Sequence, residues 1–281
     1  MHVTHEPDVG RFAGQVLPWL GQDPVRNNVA SVIVQSRAEG QVPVENGAVW
    51  LSVRDGAGEL AAVAVRTPPL HLLISGWSEA AAGPLAEWYA AYDPALTAVG
   101  GPVELSDAFA LRWNELTGAV AGNPQNYRGF RLDEVITPKN VSGTLRKGEL
   151  SEEELILGWV GGFFAEAAPH EDPAGLLSTV RRKLETGAIE IWEDGGEPVS
   201  MLWTSAPAAG VVRISGVFTP AANRGHGYAS GMVAAVSEQV LASGHVPSLF
   251  TDQANPTSNK IYQAIGYRPV MDTRLWMFSG R

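Results

Sequence analysis

The stretch "FTPAANRGHGYAS", Phe218 to Ser230, decides how the rest of the chain is read. An apolar run ends in Thr219-Pro220, reaches Arg224, and meets Gly225 and Gly227 just before a segment of helical periodicity. Glycines so placed let a backbone take positive φ and approach a ligand closely. A dinucleotide fingerprint puts G-x-G directly after a buried strand. Here Thr219 to Arg224 intervene, and the preceding strands read as an antiparallel hairpin. A Walker A loop closes on Gly-Lys-Ser/Thr, which is missing here. A third reading is a pyrophosphate cradle. Arg224 supplies charge, the glycines let N–H groups converge, and a helix opening near Ala229 adds unpaired amides and a dipole. The bland alternative is a glycine-rich helix entry with no ligand.

Working outward, "VSGTLRKG" (141–148) reads as a strand. "SEEELILGWVGGFFAEA" (151–167) reads as a helix with a Ser151 cap and an acidic first turn. "GLLSTVRRKLETG" (175–187) is a second amphipathic helix ending in Gly. "AIEIWEDG" and "EPVSMLWTSA" follow as strands joined by hairpin chemistry, and then the strand "VVRISGVF" (211–218). After the opening stretch come a helix to Gly244, the strand "VPSLFT", a helix from Asn255 to Gly266, and the alternating "YRPVMDTRLWMF". The order is β α α β β β α β α β.

The N-terminal half repeats part of this order. "AVWLSVRDGAGELAAVAVRTPPLHLLIS" (48–75) parallels "AIEIWEDGGEPVSMLWTSAPAAGVVRIS" (188–215). Each then continues with an Ala-rich helix, a short apolar run and a helix ending in Gly, at Gly118 and Gly266. Internal duplication is the economical reading. "NYRGFRLDEVITPKN" (126–140) would then hold the last strand of the first copy and the linker, giving domains 1–137 and 138–281.

At this point the residues carry a resemblance. Arg224-Gly225-His226-Gly227-Tyr228-Ala229 resembles the acyl-CoA-binding motif Arg/Gln-x-x-Gly-x-Gly/Ala of the GNAT superfamily of N-acetyltransferases, in its R-G-x-G-Y-A form. Neither Ala222 nor Asn223 supplies the motif's upstream Gln or Arg. "DQANPTSNKIYQAIGYRPV" resembles the superfamily's N-x-x-(S/A)-x-x-x-Y-x-x-x-G-F block, about 30 residues downstream. The resemblance implies an α/β (α+β) fold class with two GNAT-like domains. Each would be a mixed, mostly antiparallel sheet flanked by helices, with a splayed parallel strand pair at the cofactor site.

It further implies that Val217, Phe218 and Thr219 pair through backbone groups with the pantetheine arm of acetyl-CoA. The amides of Gly225, His226, Gly227, Tyr228, Ala229 and Ser230 would hold the pyrophosphate beside Arg224, with Asn255, Ser258 and Asn259 close to the cofactor. "ANPTS" is also a natural helix start without any ligand. Tyr262, one turn after Ser258, would protonate the departing thiolate, since a phenol titrates near ~10 and a thiol near ~8.5. His226 reads as a spectator. Asp252, Glu190 and Glu193 are candidate bases, with bound water an equal contender. The first copy has no Arg-Gly-x-Gly, and its tyrosine-helix counterpart carries Phe109 and Trp113 instead. It reads as a degenerate domain.

Composition bounds the function. The chain has 281 residues, 45% apolar, which is comfortable for two domains of about 140. A net charge of −10 argues against nucleic acid. Zero cysteines exclude disulfides, thiolate zinc sites and a cysteine nucleophile; a serine nucleophile stays open on that ground, and direct attack by an amine in a ternary complex is expected, with no metal. The polar "MHVTHEPDVG" is no signal peptide and no apolar run reaches membrane-spanning length, so a cytoplasmic protein with no membrane partner is expected.

Overall fold

The computed structural model describes residues 1–167 and 176–279; Gly175, the expected start of the second helix, lies outside them. The chain divides into two compact units. Unit 1 holds Met1–Gly129, Asp252–Ala254 and Val270–Arg281, and unit 2 holds Phe130–Thr251 and Asn255–Pro269.

Unit 1 runs β1 (His2–His5), α1 (Val9–Leu20), α2 (Asn28–Ala38), β2 (Val49–Arg54), β3 (Leu60–Arg66), β4 (Leu72–Gly76), α3 (Ala82–Tyr92), β5 (Ala98–Pro102), α4 (Val103–Thr117), β6 (Val120–Ala121) and most of β7 (Gln125–Arg131). β1 and α1 form despite the polar N-terminus, because Asp8 caps α1 by accepting from the Arg11 amide at 2.7 Å. Its sheet is antiparallel from β1 to β4, and β4 and β5 are parallel. α1 and α2 bury Phe12, Val16, Leu20 and Val34 against Trp50, Val63 and Val65 on one face. α3 and α4 bury Leu85, Tyr89, Phe109 and Trp113 against Leu51, Val53 and Ile74 on the other.

Unit 2 repeats that order: β8 (Thr144–Lys147), α5 (Glu153–Ala167), α6 (Leu176–Glu185), β9 (Ile189–Asp194), β10 (Glu197–Thr204), β11 (Val211–Phe218), α7 (Tyr228–Ala242), β12 (Val246–Asp252) and α8 (Pro256–Ile265); β13 (Arg268–Ser279) ends the chain's order and from Val270 belongs to unit 1. β8, β9, β10 and β11 are antiparallel neighbours, whereas β11 and β12 are parallel. The β9–β10 turn puts Gly195 and Gly196 at φ 60° and 85°, which suits a two-residue hairpin. α5 and α6 cover Ile189, Ile191 and Met201 on one face. α7 and α8 cover Leu202, Val212 and Ile214 on the other.

Two expectations change. Ser151 does not cap α5: it lies in a 3₁₀ turn, and the capping box is made by Glu149, two residues before it, and Glu152, one after it. A carboxylate at that cap accepts from the backbone as well as a hydroxyl does, and it also complements the helix dipole. Residues 126–140 give unit 1 only the start of β7, and the strand that closes its sheet beside β5 comes from the end of the chain. β13 pairs antiparallel with β5, from Thr273 opposite Pro102 to Met277 opposite Ala98. Trp276 and Phe278 join the α3/α4 core, and the Trp276 indole donates to Asp107 of α4 at 2.8 Å. The end of β7 serves unit 2, where Phe130 and Leu132 enter the α7/α8 core and the Leu132 amide donates to Pro247 O at 3.0 Å. Among the described residues no helix is long and apolar enough to cross a membrane.

Candidate functional site

The site is built where β11 and β12 part. They pair only from Val211 opposite Val246 to Ile214 opposite Leu249. Beyond Ile214, β11 continues to Phe218 without that partner. On its other side the β10–β11 register slips between Met201 opposite Phe218 and Trp203 opposite Ser215, so β11 carries one extra residue. Such a bulge bends the strand and turns it away from its neighbour. Gly216 permits this, with φ 60° and the Trp203 ring so close that a Cβ would stand 1.9 Å from it. Beyond the bulge Ser200 holds the strand end: its hydroxyl donates to Phe218 O at 2.8 Å and lies 2.8 Å from the Thr219 hydroxyl.

The chain then turns through Ala221–Asn223 into the glycines. Gly225 and Gly227 take φ 87° and 82°, and Gly227 occupies the N-cap of α7 with no side-chain cap. Among the described residues no side chain caps the first turn of α7, whose mouth is exposed, an arrangement that leaves backbone N–H groups and the positive end of the helix dipole facing outward. Gly225 opens onto free space, whereas Gly227 and Gly231 pack on Val141. The Tyr228 side chain fastens the loop to β9: its hydroxyl donates to Asp194 at 2.6 Å and its ring stacks on His226. That bond, with a second from Ser142, holds the Asp194 carboxyl below its ordinary range, and the bond to Asp194 raises the Tyr228 phenol.

Residues 200–277, which span this splay and cradle, match the family described as FR47-like protein. No curated protein matches the sequence. Among solved structures, the chain is similar to a GCN5-related N-acetyltransferase from Sphaerobacter thermophilus at 15% identity and TM-score 0.63, covering 100% of this chain and 96% of that one. A GNAT-family acetyltransferase from Colwellia psychrerythraea is similar at 10% identity and TM-score 0.60, covering 99% of each chain. A tandem GNAT protein from the clavulanic acid biosynthesis pathway is similar at 12% and 0.56, covering 100% and 99%. The chain has the GNAT fold.

The remaining expected site residues lie as follows. Arg224 does not stand free at the cradle. Its Nη2 donates to both oxygens of Glu166 on α5 at 2.8 Å, and its Nε donates to Thr219 O. His226 is exposed, with Nδ1 3.2 Å from Asn223 O. Asn255 caps α8, accepting from the Ser258 amide at 3.1 Å, and the Asn259 amide group donates to Asn255 O. Val217 and Tyr262 belong to one hydrophobic cluster, Val217 partly buried and Tyr262 8% exposed. Burial pushes the Tyr262 phenol up to about 12, against a smaller opposing effect of its hydrogen bond with Ser258. Its ring meets Tyr267 edge-on.

The candidate bases are all engaged. Glu190 is buried and paired with Lys147, and burial raises its pKa. Glu193 is held by Arg146, and Asp252 accepts from the Ala254 amide. Sequence reasoning missed Glu166, which lies 58 residues from its arginine, and Trp203, whose contact with Gly216 crosses strands. The bulge left one local trace, a glycine inside an otherwise strong strand.

Unit 1 has its own splay. β4 and β5 pair only through Leu72–Val99 and Leu73–Gly100. At the far ends of these strands lies a cavity of about 360 Å³ lined by Trp77, Glu79, Glu104 and Arg26 among others. No glycine cradle precedes α3; Ser78 and Glu79 stand there instead, in a short 3₁₀ turn.

Proposed function

We propose that the chain is an acetyl-CoA-dependent N-acetyltransferase acting on a primary amine of a small molecule or peptide, with its site in unit 2. One observation carries the reading: a bulged strand that loses its parallel neighbour runs directly into an uncapped helix mouth with two positive-φ glycines. The free edge of Val217–Thr219 offers backbone groups for a pantetheine amide, and the amides of Gly225 to Ser230 offer donors for pyrophosphate. Asn259 and Ser258 flank the second helix mouth, where Asn255 serves as the cap. Arg224 reaches the phosphates once they compete with Glu166, a half-exposed pair worth about 0–1 kcal/mol.

Acetyl-CoA supplies an activated acyl carbon and a thiolate leaving group. The amine nitrogen bonds to that carbon, the C–S bond breaks, and the sulfur needs a proton. Tyr262 keeps its hydroxyl proton at every working pH, because burial holds it near 12. Full transfer to a thiolate of pKa about 8.5 is uphill, so the phenol acts best as a hydrogen-bond donor whose proton moves as charge builds on sulfur. Glu79 at the α3 mouth repels phosphate, which favours a supporting role for unit 1.

The deep burial of Tyr262 favours a second reading, a non-catalytic acyl-CoA sensor. Thermal shift with acetyl-CoA tests binding in both. Stabilisation of roughly 2.7 kcal/mol at 100 times Kd is expected, lost in Gly227→Trp. Thiol release across an amine panel, with Tyr262→Phe lowering kcat by about 10²–10⁴, separates them. Binding without turnover of any amine would leave the sensor.

A further inference from the structure

Unit 1 keeps a strand splay without a glycine cradle, and the wedge beyond its strands stays open. β4 and β5 pair only through Leu72–Val99 and Leu73–Gly100, while β5 stays with β13 as far as Pro102 opposite Thr273. The cavity of about 360 Å³ lies just beyond, bordered by Gly76 at the end of β4 and Pro102 at the end of β5. Small-molecule sites run about 300–1,000 Å³, so its size fits one. The crevice outside the carboxyl ends of parallel strands is also where open α/β sheets take their ligands. All the residues that line it belong to unit 1.

Two of the four charged residues in the lining are engaged inside the protein. Arg26 donates to Val270 O at 3.1 Å and pairs with Asp23, and Asp272 accepts two nitrogens of Arg128 at 2.8 and 2.9 Å. Glu79 and Glu104 are exposed and form no hydrogen bond or ion pair among the described residues. Each stands in the first turn of its helix, where a carboxylate suits the dipole without giving up its oxygens. Asn27 adds an independent observation. It lines the cavity and is 4% exposed. At the N-cap of α2 an asparagine oxygen ordinarily accepts from the helix backbone, and this one does not. Its nitrogen donates to Leu20 O at 3.0 Å instead, and among the described residues the oxygen has no donor. A buried acceptor left in that state is costly until a donor reaches it. Trp77 stands half-exposed beside these groups, held edge-on by Trp19 at 4.5 Å between centroids.

We infer that this cavity of unit 1 is a receptor for a small organic ammonium with an apolar body. The ammonium brings the N–H donors that Asn27, Glu79 and Glu104 lack, and its charge offsets the two carboxylates. The indole of Trp77 receives the cation over its face and the apolar body along its edge. The second copy of the fold has thus exchanged a phosphate cradle for acceptor oxygens at the matching helix mouth, where Ser78 and Glu79 replace the glycines. This site is separate from the acyl-donor site proposed for unit 2 and does not depend on it.

The test is calorimetric titration of the full chain, without acetyl-CoA, with benzylamine, cyclohexylamine and hexylamine. Benzyl alcohol and benzoate serve as the neutral and anionic counterparts of the first. At least one amine is expected to bind at a single site with Kd of about 0.01–1 mM. The alcohol and the carboxylate are expected to bind about tenfold more weakly or not at all. Glu79→Gln and Glu104→Gln each weaken the amine by about three- to tenfold, and the double variant by more. Trp77→Leu weakens it by about threefold or more. All three side chains are exposed, so the variants keep the wild-type melting temperature to within a few degrees, which a thermal melt checks. Three results would each overturn the site: no single-site binding of any amine, benzyl alcohol binding as tightly as benzylamine, or amine affinity unchanged in the double variant. An amine that binds while acetyl-CoA gives no thermal shift refutes the acyl-donor reading and leaves this site standing; the converse result does the reverse.

Discussion

Replacing Lys183 by methionine is expected to leave the ligand-free protein at least as stable at neutral pH. Burial first, then the like charges of Arg213 and Arg182, lower the lysine pKa from 10.5 to about 8. At 1.36 kcal/mol per unit, that is a penalty of about 3 kcal/mol for keeping the ammonium charged in the folded state. Methionine removes the penalty and fills nearly the same volume. It also forfeits the bond to Thr204 O and the contact with Trp203, each about 0.5–1.5 kcal/mol. The net gain is about 0–2 kcal/mol, or up to about 8 °C in Tm for a chain of this size.

The pH dependence distinguishes this cause from any other. The folded pKa lies below the unfolded one, so below about pH 8 the lysine is charged in both states and the penalty is complete. As pH rises from 8 to 10.5 the folded state sheds the proton first, and the wild type gains stability relative to the variant. Urea unfolding of both proteins at pH 7 and pH 10 measures the difference. A variant less stable than wild type at pH 7, or a difference that is constant across that range, would refute the reasoning.

Gly216→Ala places a Cβ 1.9 Å from the Trp203 ring at φ 60°, and a loss of about 2–4 kcal/mol is expected in denaturant unfolding; the same change at Gly225, which faces open space, is expected to cost only about 1 kcal/mol. Glu166→Gln releases Arg224, and acetyl-CoA titration at low salt is expected to give about two- to fivefold tighter binding; weaker binding would place Arg224 outside the phosphate site. Asn255→Ala removes the α8 cap and is expected to cost about 1 kcal/mol of stability, read in a thermal melt.

Much of unit 2 was legible because its signals are local. The order of its elements follows from hydrophobic period, from Asp-Gly-Gly before Glu197, and from glycines at helix ends. The Gly225 and Gly227 cradle follows from the absence of a Cβ. Asn255 was legible as a cap, and the structure shows the bond it accepts from the Ser258 amide. Tyr262 could be placed on its helix, but its depth could not, since burial depends on α7 and Tyr267 packing around it. The pairing of Arg224 with Glu166 and the crowding of Lys183 by Arg213 join residues far apart in the chain, and no local pattern announces them.

The opening loop, the parallel ordering of the two halves and the type of nearly every element are determined by the sequence, because φ preference, capping and side-chain period act over a few residues. Which strand closes which sheet was decided only in three dimensions. β13 and the end of β7 both alternate and both suit the edge beside a parallel strand. Their assignment depends on which core accepts Trp276 and Phe278 and which accepts Phe130 and Leu132. That choice is a matter of packing between residues more than a hundred positions apart, and it settles only when both cores form.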